Sequence, residues 1–226
     1  METVALARLL RLASPVLPVG GFGYSQGLEA AIDQGWVKAE ADIAQWIEDV
    51  LASSLARFEA PMFCRLYRAW EARDYPAVER WNALFLAGRE TAEFRAETVQ
   101  MGASLRTLLA STGEFAREGL QPLAALSEPA YPTAFAFAAV LWGIALPEAL
   151  TGYLFAWAEN QVSAAMRTTR LGHVGAQRIL ARVASLLPEL VACACDLRDE
   201  DLSNFTQALT IASCLHEIQS SRVFRS

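Results

Sequence analysis

Apolar residues recur three and four positions apart along almost the whole chain, the spacing that gathers side chains on one face of an α-helix. Ile43, Trp46, Ile47, Val50, Leu51, Leu55 and Phe58 form one such face. The period returns in Phe94, Met101, Leu105 and Leu108, in Ile179, Val183, Leu186 and Leu190, and in Phe205, Leu209, Ala212 and Leu215. No strand-like alternation competes with it. Breaks are predicted at Gly35, Asp74 to Pro76, Gly113, Gly119 to Pro122, Glu128 to Pro132, Pro147, Leu171 to Gly175, Pro188 and Arg198 to Asp201. The pattern therefore predicts an all-α fold of about nine or ten helices. Residues 1–226 are expected to form a single compact domain. Tyr131 to Trp142, YPTAFAFAAVLW, is apolar on every side and reads as a central buried helix.

The segment Ser14 to Glu29, SPVLPVGGFGYSQGLE, breaks this rhythm. Pro15 and Pro18 cannot sit inside a helix, so the first helix should stop near Ala13. Gly20, Gly21 and Gly23 permit positive φ or close approach of another backbone. Val16, Leu17, Val19 and Phe22 are too apolar for a freely exposed loop, which is expected to pack. Ser25 is placed to cap the next helix, and Glu29 falls in the first turn, where the helix dipole favours an anion. A phosphate-binding reading fails: no strand precedes the glycines, their spacing lacks the third glycine, and no Gly-Lys-Ser/Thr follows.

Hydrophobic residues make up 54% of the chain and charged residues 19%. That apolar excess suggests surface built for a partner. A net charge of −6 argues against a general nucleic-acid binder. Tyr131 to Pro147, the longest uncharged apolar run, falls short of the roughly 20 residues a spanning helix needs, so no membrane segment is expected. Arg8 and Arg11 interrupt any signal-peptide core, and a cytoplasmic protein is expected. Cys64, Cys193, Cys195 and Cys214 form no disulfide framework and are expected as reduced thiols in the core.

Candidate chemistry is sparse. Arg89, Glu93, Glu97 and Gln100 share one helix stripe, but nothing in the pattern tunes the two carboxylates for acid–base work, and a solvated or interfacial face is expected. On a helix Cys193 and Cys195 would point about 200° apart, as would Cys214 and His216, so neither pair chelates a metal. No Gly-x-Ser-x-Gly elbow accompanies the two histidines. No catalytic, cofactor or metal residues are therefore assigned to the lone chain. The last residues, HEIQSSRVFRS, set Phe224 between Arg222 and Arg225, residue types that concentrate interface energy. As a terminus the segment is equally open to disorder, and it is expected to add no core. The competing function class is a helical enzyme or apolar-ligand carrier with an internal pocket.

Five blocks together resemble the urease accessory protein F (UreF) family: SPVLPVGGFGYSQGLE, RETAEFRAETVQMGASL, YPTAF, LGHVGAQRIL and HEIQSSRVFRS. They occur in the family's order and span nearly the whole chain. The resemblance implies a non-catalytic homodimer that joins urease accessory protein D/H and recruits the GTPase accessory protein G, whose activity it modulates. The assembly would deliver nickel to apo-urease, with the metal handled by the complex and no cofactor held stably by the lone chain. It further implies that residues 216–226 are a partner-dependent tail, and that a cleft lined by the loop and tail receives the GTPase. The partner-binding residues implied are Gly20, Gly21, Tyr24, Arg167, His216, Glu217, Arg222, Phe224 and Arg225. Among these, Tyr24 and Arg222 are assigned to the cleft, Tyr24 as the side chain the loop presents, and Arg167 to control of the GTPase. The sequence departs from the family pattern at Gln26, Arg170, His173, Leu215 and Ser220, where His, Pro, Gln, Arg and Tyr are common.

Overall fold

The computed structural model describes residues 2–226. Within them lie ten helices and no strand, in one domain. The first three are α1 (Thr3–Leu12), α2 (Leu28–Asp33) and α3, a continuous rod over residues 40–71. Next come α4 (Tyr75–Ala87), α5 (Ala92–Ser111), α6 (Arg117–Ala124) and α7 (Tyr131–Leu141). The last are α8 (Leu146–Thr168), α9 (His173–Asp196) and α10 (Gln207–Glu217). Local chemistry sets several boundaries. The Asp74 carboxylate accepts the Ala77 N–H at 3.0 Å and Thr91 Oγ1 accepts that of Phe94 at 3.3 Å, capping α4 and α5. Pro132 and Pro147 occupy first turns, where a missing N–H costs nothing.

The middle of α3, Leu51–Glu59, is wound as π-helix. Pro61 supplies a reason: it has no N–H for the Arg57 carbonyl one turn earlier. That carbonyl accepts the Ser203 N–H instead, at 3.1 Å. Pro188 was expected to end a helix, yet α9 runs through it. Leu187 and Val191 pack inward on either side while Pro188 itself is on the exposed face. The break expected over Gly119 to Pro122 likewise lies inside α6.

The predicted central helix is central. Residues 132–139 of α7 are all buried between α3 and α5, with Phe135 edge-on to Phe63 and Tyr153. Antiparallel α8 and α9 close one side and α1 lies on α8. Gly102 lets the backbone ahead of α7 press against α5: a Cβ there would lie 1.9 Å from the Pro129 carbonyl oxygen. The thiols do not all enter the core. Cys64 is buried, Cys195 is half-buried, and Cys193 and Cys214 face solvent on helix faces the apolar period leaves outward.

Candidate protein-docking site

The site is assembled by three carboxylates from α2 and α5 that hold the end of the chain. Glu29, in the first turn of α2, accepts the N–H groups of Val223 at 2.7 Å and Phe224 at 2.9 Å. One turn apart on α5, Glu93 accepts from Arg222 at 2.7 Å and Glu97 accepts the Ser226 hydroxyl at 3.0 Å. His216 is wholly buried, its Nδ1 2.8 Å from Glu93 and its Nε2 3.3 Å from Glu29.

Backbone pairing joins this tail to the glycine-rich loop. The Ser226 backbone oxygen accepts the N–H groups of Ser25 at 2.7 Å and Gln26 at 3.1 Å and the Ser25 hydroxyl at 2.6 Å, while Arg225 N–H donates to the Gly23 carbonyl at 2.9 Å. Ser25 Oγ also accepts the Glu29 N–H at 3.3 Å, although the cap position of α2 is Gly27. The expectation that the tail adds no core therefore fails: Phe224 is 5% exposed, closed over by the Arg167 guanidinium 4.5 Å from its ring centre.

Gln26 stands at the hub in a left-handed conformation, φ 51°. Its amide donates to Glu97 at 2.6 Å and accepts the Trp157 indole N–H at 2.6 Å, so both ends of the side chain fix its backbone. This departure from the family pattern is thus accommodated by one partner at each end of the side-chain amide. Burial pushes the Glu97 carboxyl up to about 7, against the lowering effect of its Gln26 and Ser226 donors. The helix pattern alone predicted a solvated or interfacial position for it.

The residues assigned by resemblance divide into two groups. Tyr24 is 4% exposed, donating to Gln100 at 2.9 Å, so its ring supports the loop from below instead of being presented. Burial holds its phenol above the ordinary range, with the nearby Arg225 guanidinium opposing. The presented side chain is Phe22, 64% exposed, whose carbonyl takes a 3.0 Å hydrogen bond from Arg167. The positive φ expected among the glycines falls on Gly20 (84°), whereas a Cβ on Gly21 would touch only the mobile end of Met101. Arg167, Arg222, Arg225 and Glu217 are exposed around the junction; Glu217 accepts the Glu93 N–H at 3.4 Å.

Behind the loop lies a cavity of about 320 Å³, lined by Leu17, Met101, Tyr131 and Glu97 and reaching a second polar group. There Glu59, at the end of the π-helical stretch, accepts from Tyr153 and, at 3.0 Å, from Arg89. Among the described residues no cluster of three or more His, Cys, Asp or Glu side chains is arranged to hold a metal ion.

A family model for UreF matches residues 37–184, more than half of the chain. The chain belongs to the UreF family. It is 52% identical to the urease accessory protein UreF of Azoarcus sp. (strain BH72), over 98% of this chain and 95% of that one. Against the UreF of Janthinobacterium sp. (strain Marseille) it is 48% identical over the full length of both. It also matches, at 43% identity over its whole length, 53% of a bifunctional urease accessory protein UreEF from Bordetella bronchiseptica. The family match covers α8 with Arg167 and stops short of the tail, so the loop–tail junction draws on segments outside it at both ends of the chain.

Proposed function

We propose that the chain is a non-catalytic factor in cytoplasmic urease maturation, acting as a homodimer that joins accessory protein D/H to the GTPase accessory protein G. The observation that carries this reading is the loop–tail junction. Phe22, Arg167, Arg222 and Arg225 stand exposed on backbone that buried hydrogen bonds hold in place, so a partner would meet a preordered surface and lose little entropy in binding it. Phe205, Ile211, Ile218 and Val223, before, on and after α10, are exposed apolar side chains suited to the D/H protein. The GTPase would meet the Phe22 and Arg167 side, where Arg167, exposed but held by the Phe22 carbonyl and the Phe224 ring, would modulate it. Nickel would pass to apo-urease through the assembly. The family relationship and the fusion of a UreF-like half into a larger accessory protein support a role within such complexes. No helix among the described residues is long and apolar enough to cross a membrane.

Co-expression with the cognate D/H and G proteins tests the reading. A stable complex is expected, with loss of urease nickel loading when the gene is deleted; absence of both results refutes it. A second reading, a carrier of a small apolar ligand, is favoured by the cavity. It requires a stoichiometric small molecule in native mass spectrometry of the purified chain.

A further inference from the structure

Where the end of α9 crosses α3, the Sγ atoms of Cys64 and Cys195 lie 3.4 Å apart. The contact is held from outside the pair. Arg68 donates to the Cys195 carbonyl at 3.0 Å and Arg65 to the Leu197 carbonyl at 2.9 Å, while Arg65 also binds Asp199 at 2.8 Å. Two guanidiniums on α3 thus clamp the last turn of α9 and place positive charge beside the thiols. Cys64 is fully buried and Cys195 half-buried, so an oxidant reaches Cys195 first. From this geometry we infer that Cys64 and Cys195 form a peroxide-reactive site, at which one equivalent of hydrogen peroxide converts the two thiols to a disulfide between α3 and α9.

The chemistry balances with the peroxide as sole oxidant. The Cys195 thiolate attacks the peroxide; an S–O bond forms, the O–O bond breaks, and the leaving oxygen departs as water with the proton that Cys195 has lost. Cys64 sulfur then attacks the Cys195 sulfenic acid. The S–S bond forms, the S–O bond breaks, and the hydroxide leaves as a second water with the Cys64 proton. Both sulfurs are oxidised and the two peroxide oxygens are reduced. A hydrogen bond from the Cys64 thiol, aided by Arg68, lowers the Cys195 thiol from its ordinary range; the same bond, with burial, raises that of Cys64. Attacking and resolving roles are therefore divided between the two. Cys195 lies in the last turn of α9, which ends at Asp196, and the gap to be closed is from 3.4 Å to a bond of about 2.0 Å.

The exposed Cys193 and Cys214 offer a competing route to oxidation between molecules, so the test uses the full chain carrying Cys193→Ser and Cys214→Ser. Treated with hydrogen peroxide, this protein should lose both thiols together. Non-reducing peptide mapping should then find Cys64 joined to Cys195 in a monomeric species, reversed by dithiothreitol. Cys64→Val should leave Cys195 as a sulfenic acid trapped by dimedone. Accumulation of Cys195 sulfenic or sulfinic acid with Cys64 still free in the double variant would overturn the inference. So would thiols that survive peroxide sufficient to oxidise free cysteine, or a link formed only between molecules.

Discussion

Glu29 and Phe224 stand 195 positions apart in the chain, yet the carboxylate of the first accepts the backbone N–H of the second at 2.9 Å. The other carboxylate oxygen takes Val223 N–H, so one side chain satisfies two donors that would otherwise be left without partners as the tail folds inward. Glu29→Gln keeps the shape but replaces one acceptor with an NH2 group facing an N–H. A loss of about 1–3 kcal/mol is expected at that point. Hydrogen exchange should report it as faster exchange of the Val223 and Phe224 amides with α7 still protected. Unchanged tail protection would refute the role given to Glu29.

Glu97 predicts a dependence on pH. Its carboxyl titrates near 7 in the folded chain against an ordinary 4.5, so between these values the folded state holds a proton the unfolded chain has lost. Stability from this group is therefore complete below about 4.5 and is lost as pH rises through about 7, by at most on the order of 3 kcal/mol. Glu97→Gln, which resembles the protonated acid, should gain on the parent protein in thermal midpoint between pH 5 and pH 8. A difference that stays constant across that range would count against the assignment.

Two glycines separate steric from conformational demands. At Gly102 an added Cβ meets the Pro129 carbonyl at 1.9 Å, a backbone neighbour that cannot turn aside, whereas at Gly20 (φ 84°) it meets nothing within 4 Å. Gly20→Ala should cost about 1–2 kcal/mol, the penalty of a left-handed alanine. Gly102→Ala should cost more, above about 3 kcal/mol, because α5 and the start of α7 must separate. Denaturant unfolding of both variants checks the order.

Helical class, the stop after α1 and the central position of α7 were all legible, since each follows from local spacing or proline chemistry. The π-helical turn before Pro61 was not, because its compensating donor, Ser203, lies far along the chain. Nor was the burial of Glu97: the stripe it shares with Glu93 and Gln100 marks a polar face, and no periodicity reveals that loop and tail will cover it. Resemblance pointed to the loop and the tail and assigned Tyr24 as the presented side chain, whereas Tyr24 is buried and Phe22, which its apolar character marked for packing, is exposed. A proline- and glycine-rich turn has no side-chain period from which inward and outward positions can be read.

The tail and the exposed loop should separate in their effects. Removing residues 216–226 strips His216 and Phe224 from buried positions and leaves Glu29, Glu93 and Glu97 with fewer partners. Burial of one large aromatic is worth about 1.5–3 kcal/mol, so the truncated chain should melt at lower temperature even before any partner is added. Phe22→Ala and Arg167→Glu act on exposed side chains; the first should change stability by no more than about 0.5 kcal/mol, and the second somewhat more through loss of the Phe224 contact. On the proposed function, Phe22→Ala should nonetheless weaken capture of the GTPase by a preassembled complex with D/H. Calorimetry and affinity capture on the same preparations give both numbers. Capture that falls only in proportion to lost stability would mean that Phe22 is not a contact.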